Sequence, residues 1–98
     1  MEKRTPHCKL LKIQALVRAG KVRTTNSSRL GASALGLTLS DMLQVVLALQ
    51  ANDFYKSMTT HADHKLWQDV YCPSTPFGEI YLKLIVVNDV LIVSFKER

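Results

Sequence analysis

Glu79-Ile80-Tyr81-Leu82-Lys83-Leu84-Ile85-Val86-Val87-Asn88-Asp89-Val90-Leu91-Ile92-Val93-Ser94-Phe95-Lys96 reads as two β-branched, apolar runs joined by a polar Asn-Asp pair. Asn and Asp tolerate the left-handed backbone of a two-residue type I′ turn. The stretch therefore predicts an antiparallel hairpin, with strands at about Glu79 to Val87 and Val90 to Lys96. Pairing Val87 with Val90 sets Val86 against Leu91, Leu84 against Val93 and Leu82 against Phe95, one continuous apolar face. The opposite face is then forced: Lys83 meets Ser94, and Tyr81 meets Lys96 with Cβ atoms about 4.5–5.5 Å apart. Tyr and Lys on a one-sided sheet are commonly no more than a solvated pair, so this adjacency takes its meaning from what surrounds it.

Moving toward the N-terminus, Leu66 to Tyr71 and Asp53 to Thr60 have the same β-branched and aromatic character. Ala62-Asp63-His64 and the Pro73 to Gly78 stretch supply the loops. Links this short make all four strands antiparallel neighbours, because a parallel pair needs a crossover of a dozen or more residues. Lys56 and Gln68 sit on these two strands. Strict alternation groups Lys56 with Phe54 and Met58, and Gln68 with Leu66 and Val70, so parity alone does not choose their face. The cost of burying an unpaired lysine places them outward.

The first half has helical periodicity. Thr5-Pro6 suits a helix start and Gly20 a stop, predicting a helix from about Pro6 to Ala19 with Leu10, Ile13, Leu16 and Val17 on its apolar stripe. Lys21 to Thr25 suits a short edge strand. Asn26 is expected to cap a second helix running to Leu35, before Gly36. Thr38 with Asp41 three residues on resembles a capping box, opening a third helix through Leu39, Met42, Leu43 and Val46 to near Gln50. The expected fold is α+β: about three helices packed on a mainly antiparallel, twisted sheet of four strands plus a short edge strand.

A chain of 98 residues has the surface-to-volume ratio for one core, hence one domain. Thirteen Lys and Arg against eight Asp and Glu give a net charge of +5, which favours polyanionic partners without naming one. Cys8 and Cys72 lack metal or disulfide spacing and suggest a reducing cytosol. No signal-peptide pattern is present, and no run reaches the roughly 18 apolar residues of a membrane span, so a cytoplasmic protein is expected. His61-Ala62-Asp63-His64 falls short of the four ligands that zinc prefers, and no metal site is expected.

Four stretches resemble the MqsR toxin family: Met1 to His7, Asp53 to Thr60, Trp67 to Tyr71 and Val90 to Glu97. These words are long and ungapped; the helices between Cys8 and Ala51 diverge more, and the Cys72 to Phe77 loop does not match. The resemblance implies a RelE-like, microbial-RNase-like fold and a ribosome-independent mRNA interferase without a cofactor. It places Lys56, Gln68, Tyr81 and Lys96 at catalytic positions, with Tyr55 and Met58 beside them; Lys83 joins these two as an expected RNA contact. It also implies a cognate antitoxin with a zinc-binding part and a helix-turn-helix DNA-binding part. Operator DNA is then reached only through that antitoxin, and cleavage falls at GC-containing triplets.

Chemically, a 2′-hydroxyl can attack the adjacent phosphorus given a base, an acid for the departing 5′-oxygen and positive charge at phosphorus. Lys56 and Lys96 supply charge, and Lys56 is the expected base if its surroundings lower its pKa. Tyr81 positions the phosphate or acts as acid, while Gln68 holds substrate and Tyr55 stacks a base. Two other classes fit the same composition: a non-catalytic RNA-binding module and a protein-interaction module. Convergence of the four candidate residues on one face separates the enzyme from both.

Overall fold

Alternation of apolar and polar residues in the second half produces strands, as expected, and the first half folds into helices that cover one side of them. The computed structural model describes residues 1–98. In order, its elements are β1 (Glu2–Lys3), α1 (Leu10–Arg18), β2 (Val22–Thr24), α2 (Asn26–Ala34), α3 (Leu39–Leu47) and a 3-10 turn (Ala51–Asp53). The strands β3 (Phe54–Thr59), β4 (Trp67–Tyr71), β5 (Ser74–Thr75), β6 (Gly78–Val86) and β7 (Val90–Glu97) follow.

The strand order is β1-β3-β4-β6-β7-β2, with β5 pairing β6 off that path. The α+β class and three helices match expectation, but the sheet has seven strands rather than four and an edge strand. Strands β1 and β5 are two residues long, too short to leave an alternation signal. The expected edge strand exists as β2, and it pairs with β7 in parallel.

Three helix boundaries differ from the sequence reading, each for a tertiary reason. Helix α1 begins at Leu10 rather than Pro6, because the His7 and Cys8 amides are drawn to the Asp69 carboxylate at 2.9 Å each. The cap of α2 is Thr25, whose hydroxyl accepts from the Ser28 amide, and Asn26 is already helical. Helix α3 opens with the expected Thr38–Asp41 box but ends at Leu47. There the buried Gln14 side chain donates to the carbonyls of Val46, Leu47 and Leu49, satisfying acceptors that a longer helix would have used itself.

The hairpin is also corrected. Val86 pairs with Val90, so the turn holds three residues, and neither Asn88 nor Asp89 has the positive φ of a type I′ turn. Asp89 is instead clamped by Arg23 of β2 through bonds of 2.6 and 3.0 Å. A bulge then restores the predicted pairing: Ile92 faces Leu84, Val93 is extra, and Ser94 faces Lys83. The inward residues of β7 are therefore Val90, Ile92 and Phe95, not Leu91 and Val93.

These join Tyr71, Ile80, Leu82 and Leu84 against Ile13 and Val17 of α1, Ala32 of α2, and Met42, Val45 and Val46 of α3, forming one core. Helix α2 lies hard against β7 at Gly31, where a Cβ would overlap the Phe95 carbonyl oxygen. No single helix is long and apolar enough to cross a membrane.

Candidate active site

Directly paired residues share a face of a sheet, so the register fixes the side opposite the helices. Lys56 pairs with Val70, Val70 with Lys83, and Lys83 with Ser94, one row across β3, β4, β6 and β7. Val70 is fully buried yet lies outside the helical core cluster, which identifies this row as the opposite face. Tyr81 and Lys96 form the next row on one side of it, and Met58 and Gln68 the next row on the other. All four expected catalytic residues thus occupy one face.

A bulge resolves the parity problem on β3. Phe54 pairs with Tyr71 and Lys56 with Val70, leaving Tyr55 unpaired between them. Phe54 turns inward, packing edge-on against Tyr71 at 5.5 Å, while Lys56 and Met58 face outward.

The tight cluster is cationic and phenolic. Lys96 Nζ lies 5.3 Å and Lys83 Nζ 5.9 Å from the Tyr81 ring centroid. Tyr55, exposed at the surface, has Lys56 Nζ at 5.2 Å and the Arg4 and Arg98 guanidinium carbons at 5.7 Å from its ring. Gln68 shares the face but stands beyond the central row, about 13 Å along the strand direction from Tyr81. Its side chain is buried, unlike the outward display expected from the sequence, because β3 and β6 flank it on both sides of β4.

Protonation follows from these neighbours. The Glu2 carboxylate accepts a 2.8 Å bond from Lys56 Nζ. That bond holds the Lys56 ammonium above its ordinary range and pulls the Glu2 carboxyl below its own. The condition under which Lys56 could act as a base at neutral pH is therefore not met. Lys83 is pushed the other way, by burial first and then by the charges of Lys96 and Lys56. Burial raises the Tyr81 phenol, against the pull of Lys56, so it stays protonated and able to donate.

Three participants were not singled out in the sequence: Glu2, Arg4 and Arg98. Glu2 and Arg4 belong to a segment expected to lead into a helix, and nothing local marks an edge strand there. His61 and His64 are exposed in the β3–β4 loop, and no three His, Cys, Asp or Glu side chains converge to hold a metal. The two clefts of the molecule lie elsewhere, one between α3 and the Pro73–Phe77 loop, the other between α1 and the segment through Arg4. The cationic face is an open surface.

The fold is an α+β domain with helices on one side and an open, cationic, lysine- and tyrosine-bearing sheet face on the other. Residues 5–97 match the family described as motility quorum-sensing regulator, toxin of MqsA. The chain is 56% identical to the mRNA interferase toxin MqsR of Escherichia coli strain K12, over the whole of both chains. It belongs to the MqsR toxin family.

Proposed function

We propose that this protein is an mRNA interferase, a metal-independent endoribonuclease toxin that cleaves single-stranded messenger RNA in the cytoplasm and thereby inhibits translation and growth. The observation that carries the reading is the presence of Lys56, Gln68, Tyr81 and Lys96 on one face of the sheet, with Lys83 and Tyr55 among them. A non-catalytic RNA binder needs charge and an aromatic platform, but not a protonated phenol flanked by two ammonium groups.

In this reading Lys56 and Lys96 are cations that stabilise the charge developing on phosphorus, worth most where the substrate excludes water. Tyr81, kept protonated by burial, gives its proton to the departing 5′-oxygen. Gln68 and Met58 bind the chain one row away, Lys83 contacts phosphate, and Tyr55 stacks an unpaired base. The whole of residues 1–98 acts as one catalytic unit of RelE-like, microbial-RNase-like type, and the reaction needs no cofactor.

The family description supports a cognate antitoxin as partner. In the proposal that antitoxin carries zinc-binding and helix-turn-helix parts, neutralises the enzyme, and represses the shared operon together with it. Cleavage at GC-containing triplets without the ribosome completes the reading.

The test is incubation of the purified protein with free messenger RNA in excess chelator, followed by mapping of the product ends. Fragments ending in 2′,3′-cyclic phosphate and beginning with a 5′-hydroxyl are expected. Intact RNA refutes the nuclease, and cleavage that the chelator abolishes refutes the metal-free route.

A further inference from the structure

Lys56 is the one lysine of the cluster that is salt-bridged, and its partner comes from a strand that the sequence did not announce. Glu2 pairs with Met58 across β1 and β3, on the row that also holds Gln68, and from there its side chain shares the open face and reaches along it to Lys56. The Glu2 side chain remains 54% exposed while that of Lys56 is 19% exposed, so the carboxylate is held in place yet reachable from solvent.

The other seven acidic side chains are placed differently. Asp69 is buried on the helix side under His7, Cys8 and Ser57. Asp41 and Asp53 cap a helix and the 3-10 turn, Asp63 bonds within its loop, and Asp89 is clamped by Arg23. Glu79 has the parity of Tyr81 but lies at the outer end of β6, where it takes the Ser74 hydroxyl, and Glu97 pairs with Ile80 on the opposite parity. His7 is stacked on Trp67. Glu2 is thus the carboxylate that bonds a lysine of the cluster.

We infer that Glu2 is a catalytic residue, the general base that takes the proton of the attacking 2′-hydroxyl while Lys56 holds its carboxylate beside the phosphate. The inference rests on the ribonuclease reading given above. The Glu2 oxygen gains the 2′-hydroxyl proton as the 2′-oxygen bonds to phosphorus. The bond from phosphorus to the 5′-oxygen breaks with its electron pair, and that oxygen takes the proton of Tyr81. The proton on Glu2 returns through solvent to the Tyr81 phenolate, so the enzyme is regenerated and the products together contain the atoms of the substrate.

Four charged or titratable groups face the Glu2 carboxylate: Lys56 from β3, Tyr81 from β6, and Arg4 and the amino terminus from its own segment. In the free protein the cations keep it ionised. A bound phosphate adds negative charge beside it and shares Lys56, which strengthens the carboxylate as a base when the hydroxyl arrives. This is the reverse of what a lysine base would require at the same place.

The test compares wild type, Glu2→Gln and Glu2→Asp of the full chain on a short oligoribonucleotide in single turnover across pH. Binding is measured with the 2′-deoxy oligomer of the same sequence, which lacks the nucleophile. Glu2→Gln is expected to slow cleavage by about 10²–10⁴-fold, to bind the deoxy oligomer as tightly or more tightly, and to lose the acidic limb of the rate profile. Glu2→Asp should recover part of the rate and keep that limb. Cleavage by Glu2→Gln at or above the wild-type rate overturns the inference and makes Glu2 only a competitor of the phosphate for Lys56. An acidic limb that survives in Glu2→Gln overturns it as well and moves the proton step to Lys83. If Glu2→Gln loses the β1–β3 pairing, Glu2→Asp and the wild-type acidic limb still decide. Wild type that leaves the oligoribonucleotide intact refutes the ribonuclease reading itself, a result distinct from an active enzyme indifferent to Glu2.

Discussion

Tyr81 and Lys96 face each other across β6 and β7, with the lysine Nζ 5.3 Å from the phenol ring, because a three-residue turn and a bulge at Val93 cancel. The turn alone would shift every pair by one residue and send Lys96 toward the core side. The bulge adds that residue back, so Phe95 enters the core and Lys96 leaves it. The candidate site and the hydrophobic core are in this sense set by the same irregularity.

Replacing Lys96 by Ala is expected to separate function from stability. The side chain is exposed on the sheet face and belongs to no ion pair, so unfolding free energy should change by no more than about 0.5 kcal/mol. Loss of a cation from the developing phosphorane should cost about 10²-fold or more in single-turnover cleavage. Urea unfolding and cleavage assays on the same preparation check both. A strongly destabilised Lys96→Ala protein would mark Lys96 as structural and weaken its catalytic assignment.

Gly31→Ala tests the packing that positions β7. In an isolated helix the change would stabilise by roughly 0.5–1 kcal/mol, since Gly is a poor helix former. Here the added Cβ meets the Phe95 carbonyl oxygen, backbone that cannot swing aside, with Lys96 the next residue along. A net loss of about 1–3 kcal/mol in urea unfolding is expected, the usual range for overpacking, together with reduced cleavage as the base of Lys96 is displaced. An unchanged or raised midpoint would show that α2 can back away from β7.

What the sequence made legible was local. Thr38 and Asp41 are three residues apart and cap each other, so the start of α3 could be read directly. The Tyr81–Lys96 pair was also correctly anticipated, although from a turn that is not the one present. What the sequence hid depends on contacts distant along the chain. Asp69 bonds His7 and Cys8, 62 and 61 positions away, and so moves the start of α1. The parallel pairing of β2 with β7 and the docking of β1 on β3 are likewise invisible to alternation in segments of three and two residues. The bulge at Tyr55 carries no local mark, yet it decides that Phe54 and Lys56 face opposite ways.

Tyr71→Phe probes a buried hydroxyl with no hydrogen-bond partner in the protein. Removing an unpaired buried polar group relieves its desolvation cost, so stability at neutral pH should rise by about 1 kcal/mol. Burial, with a smaller contribution from Asp69, pushes the phenol up to about 12. A folded-state value above the unfolded value of 10 means the folded protein holds this proton more tightly. That contribution to stability is complete below pH 10 and disappears as pH rises through about 12. The Phe variant should therefore lose this step of alkaline destabilisation, and the highest-pH transition in the tyrosinate absorbance should vanish with it. Persistence of that transition would assign it to another tyrosine.

Asp69→Asn tests whether the helix side of the sheet controls the open side. One oxygen of the buried Asp69 carboxylate accepts the His7 amide at 2.9 Å and the Ser57 hydroxyl at 2.5 Å, and the other accepts the Cys8 amide at 2.9 Å. Asn has nearly the same shape, but its NH2 must point at one of the two backbone N–H groups, a donor against a donor. The expected cost is about 2–3 kcal/mol in urea unfolding, from one buried donor left without an acceptor. The segment that loosens carries His7, stacked on Trp67 at 5.6 Å, and Lys3, whose Nζ lies 4.2 Å over the same ring. Trp67 is the single tryptophan, so its emission should shift to the red as the ring meets water. The same segment carries Glu2 and Arg4 to the opposite face, so cleavage should fall along with the fluorescence change although the Asp69 side chain bonds none of the site residues. Red-shifted emission with full activity would show that β1 keeps Glu2 in place without the His7–Cys8 anchor, and that the two faces of the sheet are independent.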